Sequence, residues 1–394
     1  MCERSRKGVG FVLTATMVAG VGVLGANGQP AYAGERGTLA HRSIAPVRIS
    51  LGWPQQVNNR GQVLSLLALW QRGVLTEIDG LDGSSVITRD INGRGQVVGQ
   101  SGTPSGDLHG FVWQGGVMTD LGTLGGANSA ALGINERGEV VGVSNTADGA
   151  NSYFVWRRGV MTRVPTPGPV DMGYSTARIN NRGQVAATYN SDEPPPPGAM
   201  PPLRILLWDD RSGLTDLGDL GGHDARLYDL NDLGQIVGTD NPVDRNASVF
   251  FWDRGVRTLL GEMNSSPPLG SIDVNNRGQV VFTGISANRA DRAYLWHRGV
   301  LTDLGDLPGV HSSTAAAINE RGDVTGNLVG PSGLRGYVWR RGVVTQLDVF
   351  GANDNTGHAT GMNDDGMVVG ISFDAEELGV PAKGLVWYTD RRRS

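Results

Sequence analysis

Cysteine is all but missing from this chain, with Cys2 the only one in 394 residues. It stands ahead of the first apolar run, so a chain processed after that run has no thiol. That excludes disulfides, a thiolate metal site and a cysteine nucleophile. Lysine is nearly as scarce, Lys7 and Lys383 alone, and the formal net charge is -5. A mildly acidic chain gives no electrostatic reason to bind nucleic acid. Apolar residues at i, i+3, i+4 and i+7 are not sustained beyond the N-terminal region, which argues against helices. A second long apolar run is also missing, so no stable membrane span is expected after residue 33. Gly-x-Ser-x-Gly, the phosphate-cradling glycine loop, His-Glu-x-x-His, the Asp-x-Asp-x-Asp-Gly calcium loop and a Ser-x-Asp-x-Gly-x-x-Trp box are all lacking. No cofactor or metal is expected.

What is present begins with an export pattern. Arg4, Arg6 and Lys7 precede an apolar stretch from Val9 to about Gly25, followed by Ala31-Tyr32-Ala33 with small residues at the cleavage positions. Residues 1–33 therefore read as a signal peptide and the protein as extracellular, the alternative being an uncleaved anchor. Residues 34–46 read as a linker, 47–390 as one domain and 391–394 as a basic tail.

The domain is a tandem repeat. Asn58, Asn92, Asn135, Asn180, Asn231, Asn275, Asn319 and Asn363 each open a short Asn-x-x-Gly turn, and each precedes a tryptophan: Trp70, Trp113, Trp156, Trp208, Trp252, Trp296, Trp339 and Trp387. Most steps between successive tryptophans are 43 or 44 residues, the length of one supersecondary unit. In the third copy, Ala130–Ile134, Glu139–Gly142 and Tyr153–Trp156 are strands, and Val160-Met161-Thr162 opens a fourth. Asn135–Gly138 and Arg157-Arg158-Gly159 are tight turns, the first placed where positive φ suits Asn and Gly. Four antiparallel strands in that length fit a propeller blade. Phe111 and Trp113 face one side of their strand and Val112 the other, a pattern suited to stacking blade on blade. Each buried tryptophan contributes on the order of 3 kcal/mol. The fold expected is an all-β propeller of about eight blades. Seven is the alternative, because the first copy has only twelve positions between Asn58 and Trp70. The last copy lacks a fourth strand, and residues 47–51 match the missing pattern. They are expected to complete that blade and close the ring.

Gly116-Val117-Met118-Thr119-Asp120-Leu121-Gly122, preceded by His109-Gly110-Phe111-Val112-Trp113 and followed by Ile134-Asn135 and Val140-Val141-Gly142, resembles the HAF repeat of bacterial extracellular proteins. The resemblance implies an extracellular repeat protein and carries over no catalytic residue. Most copies lack the motif's His.

Two candidate surfaces follow. The two tight turns of each unit share one face, where Arg137, Arg158, Arg182, Arg254, Arg277, Arg298, Arg321 and Arg341 gather, with Arg60, Arg72 and Arg94. Such a ring suits an acidic polysaccharide. Long connections share the other face, including Pro194–Pro197, and variable loops on a rigid scaffold are where binding sits. The eight Asn read as turn formers, and the Trp set from Trp113 to Trp387 as core. His223 and His311 lie at one offset in units two apart, a poor basis for a metal site. The expectation is a secreted, monomeric, non-catalytic module that binds extracellular glycan or protein. The alternative is a propeller hydrolase or lyase acting on a polysaccharide.

Overall fold

The computed structural model describes residues 31–32, 38–39, 43–81, 85–193, 201–241, 246–264, 272–331, 333–349, 356–373 and 383–389. Among these every regular element is a strand. Strand order is sequential within each unit, innermost first, and defines blades over 56–77, 86–120, 125–164, 177–218, 225–263, 273–303 and 312–346 (blades 1 to 7). Blade 8 holds Thr356–Met362, Met367–Phe373 and Lys383–Tyr388; its sheet joins that of blade 7 through one parallel pair, Leu334 with Thr356. The architecture is an eight-bladed β-propeller.

The ring closes as the sequence pattern requires. Val47–Arg48 pairs antiparallel with Val386 and Leu385 as the fourth strand of blade 8. Ile49 N–H then donates to the carbonyl of Gly384 at 3.0 Å. Ile49 and Leu51 are buried with Val369 and Val386 against Val63, Ala68 and Trp70 of blade 1. Upstream, Ala31–Tyr32 and Thr38–Leu39 run parallel to the outer strands of blades 6 and 7. Residues 1–30 and 33, including most of the expected signal segment, lie outside the described residues, as do Pro194–Pro197 and 391–394.

Blade-to-blade packing follows the strand alternation. Phe111 and Trp113 bury against Leu64 and Leu69 of blade 1, whereas Val112 packs with Ala131, Ile134 and Phe154 of blade 3. Trp70, Trp113, Trp208, Trp252, Trp296 and Trp387 are buried; Trp156 and Trp339 are half-buried. Trp53, outside the register, is 43% exposed.

The recurrent Val-Val-Gly of the second strand has a steric cause. In blades 2, 3, 5, 7 and 8 the inner strand carries a register shift opposite that glycine. The bulge pushes a carbonyl into the space of a side chain: a Cβ on Gly99, Gly142, Gly238, Gly326 or Gly370 would lie 1.9 to 2.4 Å from a backbone oxygen. Blades 4 and 6 have Ala187 and Phe282 at this place, and their inner strands, Ala177–Ile179 and Asp273–Val274, are short and show no shift. A bulge therefore needs the glycine, and where the glycine is lost the inner strand is regular and brief.

Candidate functional site

The eight asparagines do more than shape turns. Positive φ in the first turn falls on its glycine, such as Gly138 at 81°, and never on the Asn. Each Asn instead works through its amide. The Oδ1 of Asn135 accepts the N–H groups of Arg137 and Glu139, both at 3.0 Å. Its Nδ2 donates to Glu139 Oε2 at 2.6 Å and to the carbonyl of Asn180, in the next blade, at 2.9 Å. The same inter-blade bond, 2.9 to 3.2 Å, links Asn58 to Asn92, Asn92 to Asn135, Asn180 to Asn231, Asn231 to Asn275, Asn275 to Asn319, Asn319 to Asn363 and Asn363 back to Asn58. This is a closed circle of eight amides around the axis, all 3% to 7% exposed. Asn suits the place because one short side chain accepts two bonds and donates two.

An open arc lies beside it at the channel mouth. In seven of the eight turns the N–H after the Asn donates to the next blade's side chain, from Gly93 through Glu136, Asn181, Asp232, Asn276, Glu320 and Asp364 to Asn59, at 2.7 to 3.1 Å, and the arc stops there because the next position, Gly93, has no side chain. The mouth is consequently acidic. Glu320 has its carboxyl raised above the usual range by burial and by the carboxylates of Asp364 and Asp232.

The candidate arginines do share this face, all exposed. Several are already engaged. Arg277 Nη1 donates to the carbonyl of Arg321 at 3.3 Å, as Arg60 does to Arg94 and Arg94 to Arg137. Arg137 pairs with Glu139 at 2.6 Å and Arg321 with Asp323 at 2.9 Å. Arg254 lies 3.8 Å from Asp253. Arg158, Arg182, Arg298 and Arg341 have no ion pair among the described residues. Arg72, Arg158, Arg254, Arg298 and Arg341 sit at φ 47° to 50°, each followed by a positive-φ glycine, the two-residue turn that right-handed strand twist favours. The face thus has an acidic centre, a middle ring of arginines mostly engaged by carboxylates of their own turn or carbonyls of the next blade, and guanidinium groups without an ion pair at Arg182 and, on the second turns, Arg158, Arg298 and Arg341.

On the opposite face the links between blades vary, and one of them borders a cavity. Links that read Asp-Leu-Gly are pinned by the Asp carboxylate, which accepts the glycine N–H in Asp120/Gly122, Asp216/Gly218 and Asp303/Gly305 at 2.7 to 2.8 Å. The link from blade 3 to blade 4 runs Arg163-Val164-Pro165 instead and carries on irregularly to Thr176. With the bulge also missing from blade 4, a cavity of 820 Å³ opens between blades 4 and 5. Its walls include Tyr174, Arg178, His223, Arg226, Tyr228 and Asn241. Asp224 organises one wall: Oδ1 accepts Leu203 N–H at 2.9 Å, and Oδ2 accepts Asn241 Nδ2 and Arg226 Nε at 3.2 Å each. Arg178 is half-buried, donates only to the carbonyl of Ala177 at 3.1 Å, and has no ion pair among the described residues. Burial raises the Tyr228 phenol above its usual range, so it is neutral. Sequence reasoning pointed to this face through the long connection whose ends, Asn190 and Pro201-Pro202, line the cavity, but it missed the side chains of the site. The local signal it passed over is Arg178, at the position two before Asn where other copies have Gln, Asp, Gly or Ala.

That same position supplies the channel wall with acids. Asp90, Asp229 and Asp273 accept the N–H of Ile134, Val274 and Ile318 in the following blades, at 2.9, 3.2 and 2.9 Å. Burial, and then the adjoining Asp229, hold Asp273 protonated well above the ordinary carboxylate range. These carboxyls tie blades together. His109 Nδ1 meets Asp120 at 2.9 Å across one blade. His223 borders the cavity and His311 is exposed in blade 7's link; no cluster of three metal-ligating side chains occurs among the described residues. Nor is any described helix long and apolar enough to cross a membrane.

No protein-family model matches the chain, and no curated protein matches it in sequence. Solved structures do. Dipeptidyl peptidase 4 from Porphyromonas gingivalis aligns with a TM-score of 0.52 at 10% identity, over 84% of this chain and 59% of the peptidase. The β-propeller domain of the trilobed protease from Pyrococcus furiosus aligns at 0.48 and 11% identity, over 78% of this chain and 96% of that domain. TolB from Acinetobacter baumannii aligns at 0.40 and 12%, over 63% and 60%. At 10% identity the likeness to dipeptidyl peptidase 4 shows a shared β-propeller fold and nothing of activity.

Proposed function

We propose that this chain is an exported β-propeller that binds an extracellular glycan without transforming it, and that the cavity between blades 4 and 5 is where it does so. One observation carries the reading: core side chains fill the interfaces between blades, and an 820 Å³ cavity opens beside blade 4, which lacks the glycine-bulge pairing and is entered by a link without Asp-Leu-Gly. A volume of 820 Å³ falls within the ~300–1,000 Å³ usual for small-ligand sites. Export is supported by the Arg4–Ala33 pattern and by the likeness to the HAF repeat. A non-catalytic role is supported by the channel carboxyls, whose oxygens are committed to backbone N–H groups of neighbouring blades.

The test is retention of the purified chain on cell-wall and polysaccharide fractions. Retention lost in Arg226→Glu and Tyr228→Ala, but kept in Arg158→Ser/Arg298→Ser/Arg341→Ser, supports the cavity. The reverse pattern moves the site to the arginine rim. Failure to be retained on every fraction refutes the glycan reading and favours a protein partner.

A further inference from the structure

We infer that the ligand of the blade 4–5 cavity is a carboxylate-bearing sugar, a uronic acid unit, with Arg178 as the anchor for its carboxylate; this rests on the glycan-binding reading above. Arg178 is the decisive residue. A half-buried guanidinium that touches only one carbonyl keeps most of its five donors unspent. Such a group is costly to leave unpaired, and it matches a planar carboxylate with two parallel bonds. The carboxylate nearest in effect, Asp90, lies in the channel wall and already accepts two backbone N–H groups, those of Ile134 and Ile91. Arg226, by contrast, is held by Asp224. The inner end of the cavity therefore presents one free positive charge.

The remaining chemistry favours a sugar over a peptide. A peptide entering such a cleft would pair with strand backbone. Here the wall N–H groups are taken: Thr176 by Thr188 Oγ1 at 3.3 Å, Asn190 by the Pro169 carbonyl at 2.8 Å, Leu203 by Asp224 and Asn241 by the Asp224 carbonyl at 2.8 Å. Recognition is left to side chains. Tyr174, 59% exposed at the rim, offers a flat apolar ring with a polar tip, the surface on which a pyranose face stacks. Asn190 and Asn241 supply amides that both donate to and accept from hydroxyl groups. A free guanidinium, a stacking ring and two amides in one cavity suit a uronate.

The experiment is calorimetric titration of the full chain with trigalacturonate, its methyl ester and the neutral galactose trisaccharide. Trigalacturonate is expected to bind at least about 10-fold more tightly than either uncharged analogue, the size of one charge-assisted hydrogen bond. Arg178→Gln should erase that preference, and Arg178→Lys should restore part of it. Tyr174→Ala should weaken all three. Melting curves of the variants exclude misfolding as the cause. Equal binding of charged and neutral sugars, untouched by Arg178→Gln, overturns the carboxylate assignment but leaves glycan binding standing. If no trisaccharide binds while retention on polysaccharide persists, the cavity assignment falls. Competition by a short peptide with a free C-terminus, and not by the sugars, overturns the sugar class.

Discussion

Asn231→Ala probes the amide circle directly. The side chain accepts the N–H groups of Leu233 and Gln235 at 3.0 Å and donates to Gln235 Oε1 at 2.7 Å and to the Asn275 carbonyl at 2.9 Å. Each buried bond is worth about 0.5–1.5 kcal/mol net, and a buried partner left unsatisfied costs about 1–3 kcal/mol. The losses are unequal. The Asn275 carbonyl still accepts Gly278 N–H at 3.0 Å, and Leu233 N–H lies close enough to solvent to find water. Gln235 is buried, so its N–H and Oε1 bear most of the penalty. A total of about 3–5 kcal/mol is expected, measured as the shift in urea midpoint at constant m-value. Asn231→Asp refines the argument. It keeps the acceptor and loses the donor, setting a carboxylate against the Asn275 carbonyl. Its destabilisation should shrink toward pH 4.5, where protonation restores a donor. A loss below about 1 kcal/mol for Asn231→Ala, or the same loss at both pH values for Asn231→Asp, would refute the view that the circle holds the blades together.

Three further predictions test closure, the bulges and the channel acids. Ile49→Ala and Leu51→Ala should each lower stability by about 2–5 kcal/mol, because both fill the seam between blades 8 and 1; thermal melts unchanged by either would show that the N-terminal strand does not close the ring. Gly370→Ala should destabilise by more than about 2 kcal/mol, since its Cβ would lie 1.9 Å from the His358 carbonyl, whereas Ala187→Gly in bulge-free blade 4 should cost no more than about 1 kcal/mol; comparable losses at the two sites would break the link between glycine and bulge. Asp273 has a folded-state pKa raised by burial and by Asp229, so its contribution is favourable below its unfolded pKa and is lost as pH rises through the raised value. Asp273→Asn keeps an acceptor for Ile318 N–H and removes the ionisation, so its advantage over the natural chain should grow from pH 4.5 to pH 8; parallel pH profiles would count against the buried pair.

The sequence by itself determined the blade. Strand pairing within a unit is local, so the Asn turn, the alternation in Phe111-Val112-Trp113 and the Arg-Gly turn were readable without any long-range information. Closure was readable too, because residues 47–51 form an orphan strand pattern and the last copy lacks one. The count of eight needed the fold, since the compressed first copy keeps its four strands by shrinking two of them to Gln56–Val57 and Val63–Leu64. The role of the asparagines divides the same way. Periodicity places one in every unit, but the bond from each amide to the next blade's carbonyl exists only once the blades are set side by side. Tertiary structure alone decided how the arginine face is spent, because its carboxylate and carbonyl partners come partly from neighbouring blades. It alone made the cavity as well, bringing 171–178 against 223–241 across an interface that neither segment's own pattern encodes. Local propensities write the blade, while contacts between residues some 45 to 70 positions apart decide what the space between two blades can hold.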